Sequence, residues 1–251
     1  MNFGEQGESV GADFYRLLSR YYDELFPREE SIVEFLREQL RGRRRVLDIG
    51  CATGTYSCAL AAAGHKVTGI DSDASMIERA NAIVSCPAVF VVGDMRRIRE
   101  LAPGPWDAIC CIGNTLVHLS SRVELARFLT DVRGVLTPGG LFVAQIVNFD
   151  RILDSGIRAL PALPGREASM EREYSDLDEE GRISFRATIR DSRDPAPHTM
   201  VTSLLALRSG ELREECVDAG LEPTLDAGSY RGEAYSALDS YLSILVAVKP
   251  L

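Results

Sequence analysis

The sequence predicts an α/β fold: a doubly wound, mostly parallel sheet of seven strands, with a small antiparallel β insertion after the fifth. Two observations predict it. Short apolar runs rich in Val and Ile (Arg45 to Ile49, Lys66 to Ile70, Val89 to Val92, Ala108 to Ile112 and Leu141 to Val147) alternate with amphipathic segments. Runs apolar at nearly every position suit parallel strands buried on both faces. From Arg151 to about Pro197 this rhythm is replaced by a Pro/Gly-rich loop (Leu160 to Gly165) and strictly alternating segments such as Ile183 to Arg190, which read as strands with one wet face.

The elements follow in order. A helical lead-in reaches about Leu40. After the first strand, Thr55 to Ala63 reads as a helix closed by Gly64, and Ser72 or Asp73 can cap a helix through Ala82. Val123 to Leu136 forms a further helix that stops at Pro138-Gly139-Gly140. Beyond the insertion come a helix from Ser209 to Asp218 closed by Gly220, a strand around Thr224 to Tyr230, and a last strand from Tyr241 to Val248. One domain over 1–251 is expected, divided into a helical segment (1–40), a core (41–150), the β insertion (151–200) and the end of the sheet (201–251). A chain of 251 residues, 45% of them hydrophobic, can bury one such core.

The formal charge of -9 argues against a surface built to neutralise phosphates, so no nucleic-acid partner is expected. The basic run Arg41, Arg43, Arg44 and Arg45 reads as a solvated helix end. No stretch approaches the roughly 20 apolar residues that a bilayer span needs, and the N-terminus is polar, so a cytoplasmic protein without membrane contact is expected. Six cysteines lack any C-x-x-C spacing, and most sit in apolar runs; no disulfide and no metal site is expected.

Chemistry concentrates at the ends of successive strands. Val46-Leu-Asp48-Ile-Gly50-Cys51-Ala52-Thr53-Gly54 runs from a strand into a small-residue turn and a helix, as a backbone in contact with a nucleotide-like ligand requires. Its spacing differs from the G-x-G-x-x-G of dinucleotide sites, which speaks against a nicotinamide-dependent oxidoreductase. Asp71 ends the second strand, where a carboxylate can accept both hydroxyls of a ribose. Gly93-Asp94-Met95 follows the third. Trp106 to Asn114, with Ile112 at the strand end, leads to His118; that imidazole serves either as a catalytic group or as a buried structural one. No phosphate loop is present.

Together these segments resemble the motifs of class I S-adenosylmethionine-dependent methyltransferases, which have a Rossmann-like sheet with an antiparallel final strand. Ala52 stands where the middle glycine of motif I is usual. The resemblance implies S-adenosyl-L-methionine as cofactor. Asp48 would face its methionine end or the turn backbone, Gly50, Cys51, Ala52 and Gly54 would form the cradle, Asp71 and Ser72 would face the ribose, Asp94 would accept from the adenine amino group with the Met95 backbone at a ring nitrogen, and Met76 and Ile112 would complete the cofactor site. Tyr21-Tyr22-Asp23-Glu24-Leu25-Phe26 resembles the N-terminal lid of small-molecule methyltransferases, with Tyr22 closing over the cofactor. Gln145 to Leu153 is similar to the Asn-Tyr-Asp-Arg/His-Ile-Leu segment of the glycine and sarcosine N-methyltransferase group, with Phe149 replacing tyrosine.

From this likeness Asn114, His118, Asn148 and Arg151 are the candidate catalytic residues, and Arg186 is a candidate second clamp for a carboxylate or an exposed strand residue. A small-molecule acceptor, with an amine nitrogen as nucleophile, and a monomer or homodimer are expected. O-methylation and a non-catalytic cofactor-binding module are the alternatives on the same site.

Overall fold

The computed structural model describes residues 3–194 and 196–251, with side chains from Asp13 onward. Helices α1 (Phe3–Leu25) and α2 (Glu30–Gln39) lead into β1 (Arg45–Ile49), α3 (Thr55–Ala62), β2 (Lys66–Asp71), α4 (Ala74–Asn81) and β3 (Val89–Val92). Next come α5 (Ile98–Leu101), β4 (Trp106–Cys111), α6 (Arg122–Val135), β5 (Leu136–Val147) and α7 (Phe149–Asp154). Four strands follow, β6 (Ala159–Leu163), β7 (Ala168–Leu177), β8 (Arg182–Asp191) and β9 (His198–Leu205), and then α8 (Ser209–Asp218), β10 (Glu222–Ala227) and β11 (Leu242–Val248).

Among the described residues the strands form two sheets. The larger has seven strands in the order β10-β11-β5-β4-β1-β2-β3, and the smaller is the antiparallel meander β6-β7-β8-β9. In the larger sheet β1 pairs in parallel with both β2 and β4, while β11 runs antiparallel to β5 and β10. The chain therefore winds outward in opposite directions from β1 and β4, which opens a crevice at their carboxyl ends. Ile49 aligns with Ile70 and Asp71 with Val92, so three strands end at one edge.

Each face of this sheet is covered. Leu125, Phe128, Leu129 and Val132 of α6 pack with Leu212 of α8 on one side; Phe35 and Leu36 of α2 and Leu60 of α3 pack on the other. Phe128, Phe142 and Phe149 are fully buried, and each such side chain contributes about 2–3 kcal/mol by leaving water. A third cluster joins Phe14, Leu18 and Tyr21 of α1 to Met170, Ala187 and Met200 of the small sheet. Helix α1 thus bridges the insertion to the core.

The strands and helices expected around the core are present, and most differ by a few residues at their ends. Five corrections arise elsewhere. The Pro/Gly-rich segment expected as a loop contains β6, an edge strand that tolerates Pro161 because an edge leaves some backbone groups without ladder partners. The insertion runs to Leu205, and β10 stops at Ala227, short of Tyr230, with an irregular segment before β11.

Arg43 and Arg45 are more than solvated charges. Arg43 donates to Gly139 O (2.6 Å), and the Arg45 guanidinium lies 4.8 Å above the Trp106 ring. Finally, Cys58 of α3 and Cys86 before β3 form a disulfide, with their Cα atoms 5.1 Å apart across a separation of 28 residues. Such pairing is set by where α3 meets the α4–β3 loop, which cysteine spacing does not show. Cys51, Cys110, Cys111 and Cys216 are free and buried.

Candidate active site

The crevice holds a cavity of about 610 Å³, bounded by the ends of β1 to β5, by α1 and by the inner face of the small sheet. Its floor is the turn after β1. Gly50 and Gly54 have φ of 72° and 82°, left-handed values that favour glycine. Space restricts them as well: a Cβ on Gly50 would come within 2.6 Å of the Thr115 side chain, and one on Gly54 within 2.6 Å of the Phe90 ring. Protein packing alone therefore already requires glycine at both positions. Ala52 is also left-handed (φ 47°), a strained conformation for a residue with a Cβ. Its N–H donates to Asp71 Oδ2 (2.9 Å), which holds it there.

Asp71 Oδ1 accepts the Asp73 N–H (2.9 Å), and the carboxylate lines the cavity. A carboxylate has about four lone-pair sites, so two stay free for hydroxyls. Burial raises its pKa against the lowering effect of these two backbone donors. Asp73 caps α4 by accepting from Ser75 and Met76 N–H groups, which leaves Ser72 for the cavity. Met76 and Met95 also line the cavity.

Of the two places expected for Asp48, beside the cofactor or under the turn, it takes the second: it is buried, does not line the cavity, and accepts from the Ser57 hydroxyl on α3 (2.5 Å), a partner the sequence did not single out. Burial pushes its pKa to about 6, with Ser57 opposing. Asp94 does line the cavity, but Arg96 engages both its oxygens through Nε (3.0 and 2.9 Å), and that pairing holds the carboxyl below its usual range. The adenine amino group therefore has no uncontested acceptor there. Cys51, Gly54 and Ile112 do not line the cavity.

At the β4 and β5 ends, Asn114 is left-handed (φ 70°), and its Oδ1 accepts the Val147 N–H (2.9 Å). His118, on a single turn between buried Val117 and Leu119, opens onto the cavity. Surrounding protein strips water from its imidazole and lowers the pKa, so the ring is neutral at pH 7.

Asn148 and Arg151 are corrected. Asn148 is 1% exposed, and its Nδ2 donates to the carbonyls of Ser236, Ala237 and Ser240 while Oδ1 accepts from Arg151 N–H (3.1 Å). With its hydrogen-bonding capacity absorbed in pinning α7 to the segment before β11, Asn148 cannot face an acceptor. Arg151 does not line the cavity. Arg186 is an exposed strand residue, 3.8 Å from Glu173.

Above the floor, Tyr22 of α1 lines the cavity while Tyr21 is buried in the cluster beneath the small sheet. Asp23 Oδ1 accepts from Thr53 (2.6 Å) and Thr55 (3.1 Å), so α1 is latched to the turn. Met170, Arg172 and Tyr174 alternate along the inner face of β7 and line the opposite wall, with Gln145 and Tyr241 nearby. Sequence reading missed Arg172 and Gln145. The signal for Arg172 was available, since a period-2 strand placing Met170 and Tyr174 inward places Arg172 there too.

The arrangement fits an adenosyl group beside a second small molecule: free lone pairs on Asp71, apolar Met76 and Met95, and further space toward β5 and β7. A methyltransferase-domain family model matches residues 46–140. A glycine/sarcosine N-methyltransferase of Halorhodospira halochloris is 31% identical over 229 residues, covering 88% of this chain and 82% of the relative. Another from Aphanothece halophytica is 28% identical, covering 91% and 86%.

Among solved structures, the CcbJ methyltransferase of Streptomyces caelestis superposes with a TM-score of 0.77 at 20% identity, covering 93% of this chain and 96% of its own. The sugar N-methyltransferase KedS8 from Streptoalloteichus superposes with a TM-score of 0.70 at 20% identity, covering 94% and 93%. Both show the same fold. Strand order, crevice and relatives together make the protein an enzyme that uses S-adenosylmethionine, and the chain belongs to the class I S-adenosylmethionine-dependent methyltransferases.

Proposed function

We propose that the enzyme methylates the amine nitrogen of a small acceptor that carries a carboxylate. Arg172 carries this reading. It lines the cavity, its Nε is buried without a hydrogen-bond partner, and among the described residues no carboxylate lies within ion-pair distance of it. A donor η-nitrogen is anchored on Pro161 O (3.0 Å), which fixes the guanidinium. A buried guanidinium N–H left without an acceptor is costly, and a bidentate carboxylate from the ligand satisfies it. The names of the relatives, glycine/sarcosine N-methyltransferases, agree with an acceptor of this kind.

In this reading Tyr22, Gly50, Ala52, Asp71, Ser72, Met76 and Met95 hold the cofactor. When bound, it supplies a methyl group on a sulfonium whose sulfur leaves neutral. The residues of the chain do the rest. Arg172 orients the carboxylate, and neutral His118 takes the proton that an ammonium must lose before nitrogen can attack. Asn114 positions the nucleophile at the β4 end, and α1 excludes water as a lid. Positioning of this sort is worth about 7 kcal/mol or more when well aligned. The division of the chain into a lid (1–40) and an insertion, extended to Leu205, that roofs the acceptor pocket, and a cytoplasmic setting belong to the same proposal.

The test is turnover of glycine, sarcosine, ethylamine and an amino sugar, read as S-adenosylhomocysteine formed. Carboxylate-bearing amines should be the substrates. Arg172→Met should raise the KM of the best one at least about tenfold, the loss of a charge-assisted pair, and leave S-adenosylhomocysteine affinity within about twofold. Equal turnover of ethylamine and sarcosine, or an unchanged KM in the variant, defeats the proposal.

A further inference from the structure

The carbonyl end of the Gln145 side chain is fully committed to protein donors. Its Oε1 accepts the Gly113 N–H (2.8 Å) and the Tyr230 hydroxyl (3.2 Å). Because a backbone N–H can only donate, the amide orientation is fixed: oxygen toward Gly113, nitrogen away from it. Gln145 is 5% exposed and lines the cavity, and among the described residues its Nε2 has no protein partner. Beside it, Asn114 repeats the arrangement. Its Oδ1 is held by the Val147 N–H, its backbone N–H donates to Gln145 O (3.3 Å), and its amide nitrogen is likewise unpartnered. Two neighbouring amides thus turn their oxygens into the protein and present only N–H donors at the ends of β4 and β5.

We propose that Gln145 is a specificity-determining residue that, with Asn114, donates to an oxygen of the methyl acceptor and disfavours acceptors that place an N–H or O–H donor there. This inference rests on the acceptor reading above and deepens it, since a carboxylate oxygen is the group that a donor-only surface selects. A group with no oxygen to offer leaves both amides unsatisfied, and an unsatisfied buried polar group costs more than a bond gained is worth. Gln145 acts on which molecule is held, not on the departing methyl.

The decisive variant is Gln145→Glu. A glutamate keeps an oxygen for Gly113 and Tyr230, so the fold contacts survive, but it replaces the outward donor by an acceptor. With sarcosine, or with glycine if that is the better substrate, its KM should rise tenfold or more, with affinity for S-adenosylhomocysteine within about twofold of wild type by calorimetry. Gln145→Met, which removes the donor without adding charge, should raise KM by a smaller factor at similar kcat and serves if the glutamate variant folds poorly. A KM within twofold of wild type in the folded variant overturns the inference, as does a parallel loss of S-adenosylhomocysteine affinity, which would assign the donor to the cofactor. If the wild-type enzyme turns over no amino acid, the acceptor reading itself has failed; if it does and the variants keep its KM, only the role of Gln145 has.

Discussion

Replacing Asp48 with Asn tests whether the acidic residue of the first turn is held against its own stability. Asp48 is buried, and its pKa is raised from 3.8 to about 6. Between these values the folded chain binds a proton that the unfolded chain has released. The stability tied to this group is fully present below about pH 3.8, declines as pH rises, and is lost above about 6. Two units correspond to about 3 kcal/mol. Asparagine is isosteric and its Oδ1 still accepts the Ser57 hydroxyl, and the charge assistance it gives up is already contained in the net shift. The net expectation is a gain of about 2–3 kcal/mol at pH 8, or roughly 4–12 °C in thermal midpoint for a chain of this size, vanishing near pH 4. Differential scanning fluorimetry of the cofactor-free protein across pH 4–8 measures it. A lower midpoint at pH 8, or a gain independent of pH, would refute the reasoning. Affinity for S-adenosylmethionine is expected to fall, because the stabilising change removes a negative charge beneath a cationic ligand.

Asp71→Asn should behave in the opposite way: cofactor affinity falls about tenfold or more by calorimetry, while the cofactor-free midpoint moves little, since relief of burial opposes the lost acceptor for Ala52 or Asp73. Cys58→Ser opens a loop of 28 residues and should cost about 3–4 kcal/mol under the chain-entropy account, and reductant should lower the wild-type midpoint by the same amount; no response to either would exclude a structural disulfide. His118→Gln should lower kcat by roughly a hundredfold and abolish the acid limb of the pH–rate profile, which in the wild type should lie below pH 6.5 because burial depresses the imidazole pKa. Persistence of that limb would remove His118 as the base.

The parallel core was legible because its strands announce themselves individually. Val89 to Val92, Ile109 to Cys111 and Leu141 to Ala144 are apolar on successive residues, and Asp73 and Gly64 punctuate the helices between. What sequence could not show is which donor meets which acceptor across long separations. Asn148 stood in a segment that resembles a substrate-binding motif, yet its partners are carbonyls 88 to 92 residues away. Asp94 was placed at the right strand end, but Arg96, two residues on, reaches back over it. Arg172 was overlooked because a charged residue in an alternating strand reads as wet; the period shared with Met170 and Tyr174 gave its face, but that α1 closes this face is a tertiary contact.

Ala52 shows how such separate observations become one physical unit. In the sequence it is a departure from the glycine expected in the middle of the turn, and Asp71 is an independent acid 19 residues later. In the fold the left-handed backbone at Ala52 costs about 1 kcal/mol or more for a residue with a Cβ. The Asp71 carboxylate accepts the N–H of that same residue, and a hydrogen bond to a charged group contributes about 1.5–3 kcal/mol, enough to hold the strained turn. The acid that offers its remaining lone pairs to the cavity is therefore also the brace that shapes the cavity floor. Alanine is tolerated at position 52 because the second strand supplies what glycine would otherwise have provided through conformational freedom.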